Sequence, residues 1–314
     1  MLSRAAEQMF WMGRYVERAC NVSRFLEVNY YLSLDWEMQY VQWEPLVQIT
    51  GDYNYFQSRR GQFDAQTVMQ FLLLDREYRN SAISALSMAR ENARGSREYL
   101  PVEFWEELNR VYQLLATYAA RKESTTAVMQ RLCSKIVEAG VHLQGICEDY
   151  MWHGEGYQFF RLGIWMERAD KTSRFLHAKY FYLLPDAKDV GTTLDDLHWA
   201  ALLHSLAGLD IYHRQYGLVT PDKVIAFLVL DDRFPRSICF CLQKAAGCLR
   251  SIIAPEGNDA ANDRVQSLDT LETLLDYLSK KDGAAVLVEG LHEFINEFQI
   301  KLNHASDGIQ LDFF

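Results

Sequence analysis

The sequence predicts an all-α protein: two tandem-duplicated helical-bundle lobes related by a pseudo-two-fold and packed as one body. Three observations carry that expectation. Apolar residues recur at intervals of three and four rather than two. Only 6 prolines interrupt 314 residues, which leaves room for long helices. One seventeen-residue segment also occurs twice: Phe10 to Leu26 returns as Phe160 to Leu176, ungapped and 150 positions later, with nine positions identical. An internal repeat constrains the architecture before any local propensity does.

The repeated segment is the first predicted helix of each half. Tyr30 and Leu34 continue the match to Tyr180 and Leu184, after which the second copy gains six residues around Ala187 to Thr193 and the offset becomes 156. On that offset Trp43 meets Trp199, Val68 meets Val224, Phe71 meets Phe227, Asp75 meets Asp231, Ser81 meets Ser237 and Leu86 meets Leu242. The lobes are therefore residues 1–153 and 154–314. The apolar runs Val68 to Leu74 and Val224 to Leu230 are short enough for strands, but the helical segments around both predict buried helix. Ser81 and Ser237 follow loop-like segments and read as N-caps, with Gly95 as a C-terminal stop for the helix that begins at Ser81. Pro101, followed by Glu103, suits a first helical turn. Val128 to Leu143 and Asp263 to Leu278 show the helical period most plainly.

Composition and charge exclude several classes. A net charge of −10 argues against non-specific nucleic-acid binding, which needs a basic face. Arg4, Glu7 and Arg14 interrupt any apolar run at the N-terminus, so no signal peptide is expected, and no stretch approaches the ~18 uncharged apolar residues of a membrane span. A cytoplasmic protein is the expectation. The six cysteines form no Cys-x-x-Cys pair and do not recur between the halves, a usage that suits free thiols.

The charges of the repeated helix are its most informative feature. Glu17 and Arg24 lie seven residues apart and share a face with Gly13 and Asn21, while Met12, Tyr15, Ala19, Val22, Leu26 and Tyr30 cover the other side. A helix apolar on most of its circumference must bury its charges, and buried charges need partners. Glu17 is expected to pair with Arg168 or Arg174, and Glu167 with Arg18 or Arg24, as a network fixing the register of the lobes. The same arginines, together with Arg14, could instead line a cleft and grip a carboxylate or phosphate. Both roles stay open at this level.

A second polar cluster lies in one copy only. Arg90, Glu91, Asn92, Arg94 and Arg97 gather at the end of the predicted helix, whereas the second copy reads Ala246, Gly247, Cys248, Leu249 and Arg250, so that only Arg94 has a counterpart. These residues are candidate ligand or partner contacts, or ordinary cations at a helix C-terminus. Glu289 and His292 have the Glu-x-x-His spacing of a di-iron bundle, but the equivalent Glu138 and His142 have slipped by one residue and further ligands are missing. No metal site is expected beyond that remote alternative. No nucleotide-binding loop, nucleophile elbow or other catalytic constellation is recognisable.

The tandem duplication, the Gly-x-x-x-Glu-Arg-Ala core (Gly13 to Ala19 and Gly163 to Ala169) and Ala89-Arg-Glu-Asn-Ala-Arg94 together resemble the alpha-E family, a bacterial all-helical family named for its Glu-Arg motif. The resemblance covers essentially the whole chain. Arg14 departs from the repeat, being Ile164 in the second copy. The resemblance implies a role beside circularly permuted ATP-grasp ligases and transglutaminase-like proteases in peptide or amide synthesis and modification. ATP and Mg would belong to the ligase, since this chain has no nucleotide motif. A helical partner could bind a peptide or amino-acid substrate, or shield an acyl phosphate from water. The alternative is a stand-alone acyl-transfer enzyme with Glu17 or Glu91 as base. Association with further copies of itself is compatible with either.

Overall fold

In the computed structural model, residues 1–34, 43–121, 124–182, 193–254 and 265–314 are described. They form an all-α body with fifteen α-helices among the described residues. In the first half these are α1 (Ser3–Leu34), α2 (Glu44–Ile49), α3 (Tyr53–Arg59), α4 (Ala65–Met69), α5 (Ala82–Gly95), α6 (Val102–Ala119) and α7 (Thr126–Tyr150). The second half adds α8 (Glu155–Tyr182), α9 (Thr193–Ser205), α10 (Leu209–Tyr216), α11 (Pro221–Ile225), α12 (Ile238–Ile253), α13 (Gln266–Ser279), α14 (Gly283–Glu289) and α15 (Leu291–Phe313). The sequence match at Leu184, most of the six-residue insertion and residues 263–264 lie outside the described residues.

The two copies of the repeated segment are the long helices α1 and α8, which pack on each other along the centre of the molecule. α5 and α7 pack on α1, while α12 and α15 pack on α8; α6 and α13 complete the outer layer. Fully buried Met9, Phe10, Met12, Val16, Ala19 and Leu26 on α1, with Phe160, Leu162, Ile164, Ala169 and Leu176 on α8, fill the seam. Contacts along it are reciprocal. A Cβ on Gly13 would fall on the carbonyl oxygen of Phe160, and one on Gly163 on the carbonyl oxygen of Phe10. Further along, Phe25 and Phe175 stack on each other with centroids 4.6 Å apart. The repeated glycines thus mark where the two backbones touch, a use of glycine that needs no special φ.

The segments between the long helices also match in detail. The apolar runs are helical, as expected, but α4 and α11 each widen into a π-helical turn, Gln70–Leu74 and Ala226–Leu230. Each turn ends at an aspartate whose side chain accepts backbone N–H bonds: Asp75 from Glu77 and Tyr78, Asp231 from Arg233 and Phe234. Ser81 and Ser237 then cap α5 and α12, accepting from the N–H of Ser84 at 3.2 Å and of Phe240 at 3.1 Å. Two sequence readings change in detail. Pro101 stands just before the first turn of α6 rather than within it. Gly95 ends α5 without a left-handed turn; its missing Cβ makes room for the Gln8 side chain.

All six cysteines are free, and every one but Cys239 is buried. Burial pushes the thiol of Cys20 up to about 11 and those of Cys241 and Cys248 up to about 12, and raises Cys133 and Cys147 as well. Alkylation of the native protein at about pH 8 should therefore label Cys239 first, the other five following only as the chain opens. Peptide mass mapping of a time course checks this. Early labelling of Cys20 or Cys241 would contradict the packing around the seam.

Candidate functional site

Midway along the seam the buried charges meet. Glu17 and Glu167 are both 0% exposed, and each receives a two-pronged guanidinium from the helix opposite. Arg168 donates to Glu17 through Nε at 3.0 Å and Nη2 at 2.9 Å. Arg18 donates to Glu167 through Nε at 2.6 Å and Nη2 at 3.0 Å. Such fork-to-carboxylate bonds combine charge with fixed geometry.

Of the expected pairings, Glu17–Arg168 and Glu167–Arg18 are present. Arg174 does not reach Glu17: its Nε bonds Asp170, one turn back on its own helix, at 2.9 Å. Arg24 does not reach Glu167 either. It stands near enough to Glu17 to lower that carboxyl, and its buried Nη1 has no hydrogen-bond partner among the described residues. The seven-residue spacing put Arg24 on the face of Glu17 and so kept it on the Glu17 side.

Each glutamate recruits further partners, of which Arg14 is a candidate from the sequence while Arg236, Gln144 and Lys171 are not. Arg236, in the loop before α12, donates to Glu17 at 2.9 Å and to Asn21 at 2.9 Å, while Gln144 reaches the same carboxylate at 3.5 Å. Around Glu167 Arg14 Nε donates at 2.9 Å, and Lys171 Nζ, bonded to Asp170 at 3.0 Å, stands within ion-pair distance at 3.6 Å. Arg14 extends to Ser306 on α15, and Arg18 to Asn80. A signal for these was present: the 150 offset aligns Asn21 with Lys171, and the 156 offset aligns Asn80 with Arg236. One site takes its second cation from the helix and the other from the loop, with asparagine at the vacated position each time.

Electrostatics follow from this crowding. Burial alone would push the Glu17 carboxyl up, but Arg168 and Arg236 overcome it and hold the group at about 2. Glu167 is likewise held well below the carboxylate range, burial being outweighed by Arg18, Lys171 and Arg14. Burial, with Arg168 and Arg24 outweighing the pull of Glu17, brings Arg236 down to about 10. Three arginines surround Glu17, and Arg14, Arg18, Lys171 and Arg174 surround Glu167 and Asp170. Seven cations thus face three carboxylates in a chain that is acidic overall.

The two clusters differ in access. Arg168 and Arg236 are 5% and 7% exposed. The cations around Glu167 instead border a cavity of about 190 Å³, where Arg14, Arg18, Lys171, Arg174 and Asn303, with the carboxylate of Asp170 between Lys171 and Arg174, meet an apolar wall of Val22, Phe25, Leu72 and Phe175. On its other side Arg18 lines an outer groove of about 670 Å³ with Trp11, Tyr15, Arg76, Arg79 and Tyr112. Arg18 and Asn80 border both spaces, and Asn80 is pinned in turn by its bond to Asp52 at 3.0 Å. Arg18 commits one N–H of each nitrogen to Glu167 and Asn80, which leaves one on each terminal nitrogen for a ligand. A carboxylate or phosphate is the group such a setting can hold.

The cluster at the end of α5 does not converge on either space. Arg90 bonds Asn109 at 2.6 Å and lies over the rings of Trp105 and Tyr112. Glu91 pairs with Arg90 and Arg94 on the exposed face, and Arg97 reaches the carbonyls of Leu100 and Pro101. Asn92 alone of the five borders a small recess beside Trp11 and Tyr15. Glu138 and Glu289 pair with Lys135 and Lys281, and among the described residues no three His, Cys, Asp or Glu side chains could share a metal ion. Also among them, no helix is long and apolar enough to cross a membrane.

Compared with known proteins, the sequence matches over residues 1–314 a family described as a predicted alpha-helical domain with a conserved ER motif. No curated protein and no solved structure matches it.

Proposed function

The chain belongs to the Alpha-E family along its whole length, and on that premise we propose that it is the helical component of a bacterial peptide or amide synthesis or modification system. In this reading it acts with a circularly permuted ATP-grasp ligase, which supplies ATP and Mg, and it holds the acceptor or shields the activated acyl group. The observation that carries the reading is the excess of cations over carboxylates where Arg14, Arg18, Lys171 and Arg174 border the inner cavity. A bound anion there would complete the charge balance.

The geometry favours binding over a stand-alone acyl transfer. Glu17 and Glu167 are buried, bridged by guanidiniums and ionised far below neutral pH. A carboxylate so stabilised is a poor proton acceptor. Glu91 borders neither the cavity nor the groove.

The test is reconstitution. Co-expression with a circularly permuted ATP-grasp ligase should yield a complex whose ligation rate depends on this chain. Arg14→Met should preserve the fold, since Ile164 occupies the matching position in α8, and should lower that rate by about tenfold, the worth of one charge-assisted contact. Turnover of acetyl phosphate by the chain alone would favour the stand-alone enzyme instead.

A further inference from the structure

The outer groove is not explained by the buried network. It runs between α1 and α5, floored by Trp11, Tyr15 and Met88, and continues into the recess beside Arg4 and Gln8, which shares those three residues. From Arg4 to Arg18 it follows fourteen residues of α1, about 21 Å of helix. That length matches roughly six residues of extended peptide. Its volumes, about 670 Å³ and 290 Å³, are those of a binding site rather than a packing defect.

Charge along the groove is one-sided. Arg76 and Arg79 are exposed, and among the described residues neither has a carboxylate within ion-pair distance. Arg18 adds a third guanidinium. The only acidic side chain among the lining residues is Glu7, at the far end. Unpartnered arginines beside aromatic rings, on a chain of net charge −10, make a local site for anions.

The second half sets different side chains in the same frame. There Trp165 replaces Tyr15 and Phe240 replaces Ser84, and the two rings meet edge to face at 5.7 Å. Asp232 and Pro235 stand where Arg76 and Arg79 stand, and Arg161 lies over Trp165 at 4.7 Å. At these positions the arginines and the small Ser84 belong to the first half alone, on a backbone whose caps and π-turns match in both. The character of the groove is set by these side chains.

We propose that the groove of α1 and α5 binds an acidic peptide in extended form, its carboxylates meeting Arg18, Arg76 and Arg79 and its backbone lying over Trp11 and Tyr15. This rests on the acceptor-binding reading above and gives it a substrate class. Three arginines lining one groove with aromatic rings suit side-chain carboxylates repeated along a strand.

The experiment uses fluorescein-labelled hexaglutamate and the purified full chain, read by fluorescence anisotropy. Saturable binding is expected, weakening with salt and at least about tenfold weaker for hexaglutamine and for Arg76→Glu/Arg79→Glu, as for loss of complementary charge at an interface. Both arginines are exposed, so that variant should keep its melting temperature. Ser84→Phe, which copies the second half, should block the groove without a charge change. No saturable binding, or binding indifferent to Arg76→Glu/Arg79→Glu, overturns the proposal. Tighter displacement by inorganic triphosphate overturns it in favour of a phosphate ligand. Because no ligase is present, a negative result here leaves the ligase partnership standing, and a failed reconstitution leaves the groove standing.

Discussion

Replacing Gly13 or Gly163 with alanine is expected to destabilise the protein by at least about 3 kcal/mol, the upper range for overpacking, and to lower the melting temperature by roughly 5–10 °C. The obstacle is backbone. The new methyl of Gly13→Ala would meet the carbonyl of Phe160 and, at 3.2 Å, the amide nitrogen of Ile164. Neither can rotate aside as a side chain can, so α1 and α8 would have to separate along the seam that holds both buried ion pairs. The control has the opposite sign. Gly145 and Gly247 lie within α7 and α12 with nothing near a future Cβ, so alanine there should stabilise by about 0.5–1 kcal/mol through helix propensity. Urea titration of the four variants decides the matter; equal effects at Gly13 and Gly145 would mean the helices do not touch as described.

The second large effect is expected at Glu17. Glu17→Gln keeps the shape but places an amide among the donors of Arg168, Arg236 and Gln144, with Arg24 nearby, and leaves buried cations without their anion. Breaking a buried pair in this way costs about 3–5 kcal/mol. Glu167→Gln should cost less, because Arg14, Arg18 and Lys171 keep side-chain exposures of 13%, 16% and 17% and can turn toward the cavity. Adding Arg236→Asn, the residue at the matching position 80, should recover part of the loss at Glu17. Equal destabilisation by the two glutamine variants would refute the difference in burial.

The pH dependence has a definite sign. Glu17 is held at about 2 in the folded state against an ordinary value of 4.5, so its contribution is complete above about pH 5 and fades as pH falls from 4.5 toward 2. The shift corresponds to about 3 kcal/mol. Glu167, also lowered, titrates with the same sign. Denaturation midpoints between about pH 6 and 3 should therefore fall more steeply for the natural sequence than for Glu17→Gln.

Much of this molecule is legible in one dimension. Helix period, scarce proline and the serine caps at 81 and 237 are local properties, and local hydrogen bonding enforces them whatever the tertiary context. The repeat aligned Gly13 with Gly163 and Glu17–Arg18 with Glu167–Arg168, and an apolar helix carrying such charges had to bury them in pairs. The swap of asparagine and cation between positions 21 and 171, and between 80 and 236, was also present in the sequence. It acquires meaning only when α1 and α8 are seen to cross.

What the sequence by itself determined is the set of helices, their caps and the need for a paired network. Tertiary structure decided which arginine serves which glutamate, because a side chain of fixed reach can bond only what the crossing at the glycines brings near it. It also decided that the cluster at the end of α5 spreads over a surface while Arg18, Arg76 and Arg79, scattered in sequence, line one groove. Side-chain size adds to this: serine lines the groove at 84, where the second half sets phenylalanine at 240 against Trp165. Packing of side chains from three helices, which no single segment encodes, is what turned a repeated motif into one closed site and one open one.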